Sequence, residues 1–318
     1  MFRLLVYFMQ KKLVFKSIFF IFSIIALDQC LGFCLKRLYE NMPAETQEGK
    51  LLYAKSDNKF EIIILGSSRA AHHYNTGLIG KNTSKKVYNF GADGQSIFYQ
   101  YASLLLASKK HKPELVILDV YPIDLLNYSI SDYDRLSELK FLYGYNSTID
   151  TLILFKDKYE YLKLYSKLYR YNSKILKLIN YSFRKQREDD LMGFSPLSKR
   201  MKDYYPILNY NEFKIDTKKV NILLDLIDFC NINQISLVLC VSPYWGKESV
   251  PMVEANKYLM KIIESKKVKL YDFCNSKNFG FNYYHFSDPL HLNEYGALKF
   301  TQLLLERGTS DFINNHMQ

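Results

Sequence analysis

The 318-residue sequence predicts an α/β protein, a three-layer α/β/α domain built on a five-stranded parallel sheet. Three observations predict it. Short apolar runs closed by turn residues recur five times along the chain, the pattern of strands buried on both faces. Stretches of helical spacing separate these runs, as the crossovers of a parallel sheet require. One run ends on Gly66-Ser67-Ser68-Arg69, and in open α/β sheets ligands collect just beyond the carboxyl ends of strands.

The chain opens with Arg3, Lys11, Lys12 and Lys16, then a mostly apolar stretch from Ser17 to Leu35, closed by Lys36 and Arg37. Its length is close to the ~20 residues that cross a bilayer. Asp28 opposes that reading, since a carboxylate at mid-membrane costs about 2.5–3.5 kcal/mol. It lies toward the far end of the stretch, where the cost falls. An uncleaved anchor, a cleaved signal peptide and a buried helix compete. No small-x-small cleavage site follows the apolar core, which favours the anchor. The basic residues ahead of it put the N-terminus in the cytoplasm and the rest outside.

Residues 38–58 are polar and read as a linker. The strand candidates are 60–65, 86–89, 115–120, 235–241 and 268–272, and helical patterns fall at 96–110, 217–232, 252–266 and 293–307. Residues 127–215 break the alternation. They are rich in Tyr, Lys, Leu and Asn, helical in pattern, and read as an insertion between the third and fourth strands. Tyr159, Tyr161, Tyr165, Tyr169 and Tyr171 suit either a carbohydrate groove or packing between amphipathic helices. The expected organisation is thus a tail and anchor over 1–37, the linker, and a domain over 59–310 carrying the insertion.

Hydrophobic residues make up 48% of the chain, so it is globular. The net charge of +11, from 43 basic against 32 acidic residues, suits an anionic surface or polymer. No dense basic block with interleaved aromatics and no zinc-finger pattern is present, which argues against nucleic acid. Cys30 and Cys34 lie in the apolar stretch. Cys230, Cys240 and Cys274 have spacings that suit neither a disulfide framework nor zinc, and Cys240 reads as a small buried apolar residue.

Three segments carry candidate chemistry. Gly66 permits a tight turn, after which Ser68 begins a helix, a good position for a nucleophile, although a simple helix cap reads equally well. Residues 88–96, Tyr-Asn-Phe-Gly-Ala-Asp-Gly-Gln-Ser, follow the second strand, and Gly91 and Gly94 let backbone N–H groups approach a ligand, as an oxyanion hole needs. Asp288-Pro289-Leu290-His291 precedes the last helix and can bring a carboxylate and an imidazole to one place. His72 and His73 are adjacent on a helix and so diverge, which argues against a metal site.

In this order the three segments resemble the SGNH hydrolases, the GDSL-like esterase superfamily. Ser68 stands in the nucleophile position, Asn89, Gly91 and Gly94 match the second block, and Asp288 and His291 match the last. The resemblance implies a flavodoxin-like fold without cofactor or metal, a triad of Ser68, His291 and Asp288, and an oxyanion hole from Ser68 and Gly94. It departs at the third block, where Tyr121-Pro122-Ile123-Asp124 stands in place of Gly-x-Asn-Asp. Ile123 replaces an asparagine that donates to the oxyanion, and removing one such donor costs about 10²–10³ in rate. Asn127 or a backbone amide would have to substitute.

The anchor, Gly-Ser-Ser-Arg and the missing asparagine together look like the membrane-anchored envelope branch of that superfamily. That implies a serine esterase or O-acyltransferase acting on an acylated envelope glycan or another ester, with a membrane acyl-donor partner. Arg69, Asn89, Tyr244 and Trp245 are the candidate substrate-binding residues, although Arg69 reads equally well as a structural ion pair with a nearby carboxylate and Trp245 as simple packing. The alternative is a catalytically weak protein that uses the same cleft to bind a glycan or a membrane partner.

Overall fold

The structure, a computed structural model, describes residues 2–44, 46–127, 131–183, 191–208 and 214–316. Two compact units share the chain: residues 1–42 with 136–186, and residues 43–135 with 187–318.

The first unit is helical. Its helix α1 (Phe2–Tyr39) is long and apolar enough over Tyr7–Tyr39 to cross a membrane, and it is the one such helix among the described residues. Its large apolar side chains, Phe15, Phe20 and Phe22 among them, are exposed. Asp28, the residue that opposed a membrane segment, has a specific role. It accepts hydrogen bonds from the Ser166 hydroxyl and from the backbone N–H groups of Lys167 (2.9 Å) and Leu168 (3.2 Å). It therefore caps the short helix Lys167–Tyr171, satisfying N–H groups that a helix start leaves free. Of the five tyrosines considered for a groove, Tyr171 is buried against Tyr39 and Tyr169 donates to Glu160 at 2.9 Å. Tyr159, Tyr161 and Tyr165 are exposed.

The second unit holds the sheet. Its strands are β1 (Ile62–Leu65), β2 (Val87–Asn89), β3 (Leu115–Asp119), β4 (Ser236–Val241) and β5 (Lys269–Asp272). All are parallel, in the spatial order β2-β1-β3-β4-β5. This is the flavodoxin-like order, and its reversal point lies between β1 and β3, where such sheets open a crevice. Every residue of β1 to β3 is buried, which explains their apolar runs, with the polar Asn89 and Asp119 at the carboxyl ends of β2 and β3. Cys240 is fully buried on β4. The helices Ile97–Ala107, Thr217–Ile232 and Val250–Lys266 fall where their periodicity predicts, while Glu294–His316 starts as predicted and runs nine residues past the predicted end at 307. Phe300 on the last of them packs on Tyr74 and Phe273 at 5.0 and 5.3 Å.

Two stretches differ from expectation. The polar linker at 38–58 contains helix α2 (Gln47–Lys55), capped by the Thr46 side chain, with Leu51 fully buried. Polar residues disguise it, because Glu48 and Lys50 are themselves buried. The stretch 127–215 is not one helical insertion. Only 136–186 belongs to the helical unit, while its end returns to the sheet unit. Residues 194–206, with Pro196 and Pro206, run without helix as a strap. Met201 N–H donates to Phe286 O and Ser195 N–H to Ala71 O. Positions 128–130, 184–190 and 209–213 of that stretch lie outside the described residues.

Candidate active site

Gly66 ends β1 with a φ of +151°, and a Cβ there would lie 2.5 Å from that of Ala70 and 3.0 Å from that of Asp119. Only glycine turns the chain this tightly against its neighbours. Helix α3 (Ser68–His73) starts immediately, and the Ser68 hydroxyl donates to Nε2 of His291 at 2.7 Å. His291 arrives from the far end of the sequence on a small antiparallel hairpin, Phe286–Asp288 with His291–Leu292, in which Asp288 and His291 are paired. The turn is held by Asp288 Oδ1, which accepts from the N–H groups of Leu290 (2.9 Å) and His291 (3.1 Å). Nδ1–H of His291 donates to the same carboxylate at 2.9 Å. Burial, the largest single influence, works to raise the Asp288 pKa, but the hydrogen bond and attraction of the His291 ring, together with the Leu290 and His291 backbone N–H groups, outweigh it and hold the group below the usual carboxylate range. With the Nδ1 proton so engaged, the Nε2 lone pair faces the Ser68 hydroxyl. Hydroxyl, imidazole and carboxylate therefore form one continuous hydrogen-bonded chain.

The loop after β2 is fastened to the same helix. The Asn89 side chain is fully buried, donating to Ala70 O at 2.7 Å and accepting from Gly91 N–H at 2.8 Å. Ala92 N–H donates to Gly66 O at 3.3 Å. A Cβ on Gly91 would sit 2.5 Å from the Ala71 nitrogen, so the loop lies directly on α3. Gly94 has a φ of +64°, and the Arg135 guanidinium occupies the space where a Cβ would project. From α2, buried Lys50 donates to Gly91 O (2.6 Å) and Gly193 O (2.7 Å).

A buried polar network underlies the site. Arg69 donates from Nε to the Ser242 hydroxyl at 3.1 Å and from Nη2 to the Ser242 carbonyl. It also pairs with Asp119 at 3.6 Å and lies 4.5 Å from the Tyr121 ring centroid. Tyr74 donates to the other Asp119 oxygen at 2.6 Å. His73 donates from Nδ1 to Ser242 Oγ (2.9 Å) and accepts the Leu292 N–H at Nε2 (2.9 Å), an arrangement that only the neutral ring allows. Burial, followed by the positive charge of Arg69, pushes its pKa well down, in accord with that geometry. His73 thus supports the strand that carries His291. His72 turns the other way, donating from Nδ1 to Ser195 O at 2.6 Å with Nε2 at 3.2 Å from Asp93 Oδ1. Both nitrogens face acceptors, so the ring fits as the imidazolium. Burial, the largest single influence, lowers its pKa, but the hydrogen bonds to Asp93 and Ser195 O and the Asp93 charge together outweigh burial and raise it. Its ring centroid is 5.6 Å from that of His291.

The structure brings Ser68, His291 and Asp288 together, with the Gly94 loop alongside. It does not bring the four candidate substrate contacts to the cleft. Arg69 and Asn89 are buried in the interactions above. Tyr244 is buried with its hydroxyl on Glu248, and Trp245 is buried against Phe286, its Nε1–H donating to Tyr204 O at 2.5 Å. The strap over 194–206 covers this tryptophan, and nothing in the local sequence of Trp245 signals that. Ile123, at the position of the absent asparagine, is fully buried on the 3-10 turn Pro122–Leu125. Lys50, His72, Asp93 and His73 were missed as parts of the site. No spacing rule marks them, because each is positioned by a partner distant in sequence. Among the described residues, no group of three or more His, Cys, Asp or Glu side chains is arranged to hold a metal ion.

No protein-family model and no curated protein matches the chain in sequence. Among solved structures it is similar to a protein assigned to the G-D-S-L lipolytic family from Desulfitobacterium hafniense DCB-2, with 11% identity, a TM-score of 0.40, and 76% of this chain and 94% of that one covered. It is also similar to one assigned as an acylhydrolase from Bacteroides fragilis NCTC 9343, with 11% identity, a TM-score of 0.39 and coverage of 80% and 89%. A lipase/acylhydrolase from Enterococcus faecalis aligns with 11% identity, a TM-score of 0.35 and coverage of 77% and 95%. Likenesses at this level carry no weight for chemistry, which rests on the geometry above.

Proposed function

We propose that the protein is a serine ester hydrolase or O-acyltransferase of the SGNH type. The observation that carries this reading is the unbroken hydrogen-bonded chain Ser68–His291–Asp288 at the carboxyl end of β1. Ser68 Oγ attacks an ester carbonyl while His291 Nε2 takes its proton. The tetrahedral intermediate collapses, the C–O bond to the alcohol breaks, and His291 returns the proton to the departing alkoxide. Water or a second hydroxyl then attacks the acyl-serine, with His291 again as base, and Ser68 is released. Asp288 holds the imidazole in its productive tautomer and stabilises the imidazolium. Backbone N–H groups of Ser68 and Gly94 stand in for the oxyanion hole. The substrate class is an acyl ester of a cell-envelope glycan, outside the cytoplasmic membrane. The candidate anchor α1, with basic residues ahead of its apolar run, supports that placement.

The test is labelling of the detergent-solubilised full chain with a serine-directed fluorophosphonate. Labelling of the parent protein, lost in Ser68→Ala and His291→Ala, supports the enzyme. A second reading, a binding protein with the same cleft, is favoured by Ile123, which is buried and apolar where an oxyanion donor is needed. Absence of labelling at any pH between about 6 and 9 selects it.

A further inference from the structure

We propose that the helical segment 167–183 lies on the membrane surface as a second, amphipathic attachment beside α1, its occupant being the lipid of the bilayer that α1 crosses. The inference rests on the reading of α1 as a membrane span.

The argument starts from what this segment leaves uncovered. Lys167–Tyr171 continues through a 3-10 turn, Asn172–Lys174, into the helix Ile175–Ser182. Leu176, Ile179 and Phe183 follow at i, i+3 and i+7, the spacing of one helix face. Leu176 and Phe183 are each 85% exposed, whereas Leu178 on the opposite face is fully buried within the helical unit. Water-facing helices place polar residues on such a face. Tyr165, just before the segment, is 77% exposed. Contiguous exposed apolar surface of this kind marks an interaction site.

Its position on α1 identifies the occupant. Asp28 caps the start of the segment, and at Gly32 the two helices touch so closely that a Cβ would lie 2.3 Å from Lys167 Cβ. Asp28 is twelve residues beyond Lys16, roughly 18 Å along the helix axis at 1.5 Å per residue. In hydrocarbon about 30 Å thick, Asp28 therefore lies just beyond the midplane, and the Gly32 contact, roughly 6 Å further along, lies closer to the far headgroup boundary. The exposed apolar side chains of α1 and those of 176–183 belong to one helical unit, and the helix Ile175–Ser182 packs on α1. Charge agrees. Residues 156–180 carry six lysines and one arginine against one aspartate and one glutamate, the composition of a helix on anionic lipid. Tyrosines at such a boundary suit its mixed polarity.

The test uses full-length protein in phosphatidylcholine–phosphatidylglycerol vesicles that contain a nitroxide-bearing lipid. Cys30, Cys34 and Cys274 are replaced by Ala, and single cysteines carrying an environment-sensitive fluorophore are introduced as Leu176→Cys, Phe183→Cys, Phe22→Cys and Ile232→Cys. Phe22 is exposed on α1, and Ile232 is exposed on a helix of the other unit. The expected result is blue-shifted emission and a roughly twofold or greater loss of fluorescence to lipid nitroxide at 176, 183 and 22, with no loss at 232. Omitting phosphatidylglycerol should weaken the response at 176 and 183 and leave position 22 unchanged. If 22 is quenched while 176 and 183 behave as 232 does, the surface attachment is wrong and the anchor stands. If 176 and 183 are shielded from water without lipid quenching, a protein surface covers them, and the proposal is overturned. If 22 is also unquenched, α1 does not span the bilayer and both readings fall.

Discussion

Replacing Arg69 by Met tests whether this residue works inside the protein or on a substrate. Its side chain is 2% exposed and pairs with an Asp119 side chain that is 1% exposed. The substitution removes the Ser242 contacts, the stacking on Tyr121 and the charge facing Asp119. Removing one partner of a buried ion pair typically costs about 3–5 kcal/mol, because the remaining charge stays buried. For a unit of this size, each kcal/mol moves the melting temperature by about 2–4 °C, so a fall of roughly 10 °C is expected. Urea unfolding followed by tryptophan emission measures it cleanly, since Trp245 is the only tryptophan, is buried, and lies in the sheet unit. In an Asp119→Asn background the same replacement should cost only about 1–2 kcal/mol, as neutral hydrogen bonds alone are lost. A loss below about 1 kcal/mol in the parent, or an equal loss in both backgrounds, refutes the buried-pair account. A raised KM with unchanged stability would restore Arg69 as a substrate contact.

Other outcomes follow from the same geometry. Gly91→Ala places a methyl group 2.5 Å from the Ala71 nitrogen, so the loop must leave α3, and kcat/KM for a p-nitrophenyl ester should fall by about 10² or more. Asp288→Asn keeps the hairpin turn through Oδ1 but favours the wrong His291 tautomer, and kcat should drop by about 10³–10⁴. His73→Leu strands the Leu292 N–H in the interior and should cost about 1–3 kcal/mol in urea unfolding. The His72–Asp93 pair links stability to pH with a definite sign. The His72 pKa is raised, so its contribution is complete below the ordinary imidazole range and is lost as pH rises through the elevated value. The Asp93 pKa is lowered, chiefly by the hydrogen bond to His72, so its contribution is lost only as pH falls below the ordinary carboxylate range. Asp93→Asn should move the His72 NMR titration to lower pH and remove the alkaline loss, and an unmoved titration would show that the pair does not form.

The strands were legible because burial on both faces writes itself into sequence as unbroken apolar runs, and Ile62–Leu65 and Leu115–Asp119 lie inside the predicted limits. Ser68, Asp288 and His291 were legible because each belongs to a short local pattern, a strand-ending Gly-x-Ser or a hairpin that pairs two side chains three residues apart. Helix α2 was not, since its buried face includes Glu48 and Lys50, and a buried lysine satisfied by two carbonyl groups looks polar in any window. The same limit left Arg69 and Trp245 open between a ligand contact and a structural role. A cation beside a nucleophile and an aromatic residue at a strand end each fit a ligand contact or an internal partner equally well. Only the fold supplies Asp119, Ser242 and Tyr204 as partners.

The buried partners of α3 explain how three separate loops hold one geometry. Asn89, Arg69 and His73 each reach from or to α3, binding it to the β2 loop, to the end of β4 and to the His291 hairpin respectively. A six-residue helix has little stability of its own, so its position must come from these contacts. The hydroxyl at its first residue is then set by the same side chains that fix the imidazole and the glycine loop. Ile123 fits this division of labour. Ile123 is packed as core on the 3-10 turn after β3 and supplies no donor, so in the proposed mechanism the oxyanion rests on the backbone N–H groups of Ser68 and Gly94, beside the helix that the α3 contacts hold.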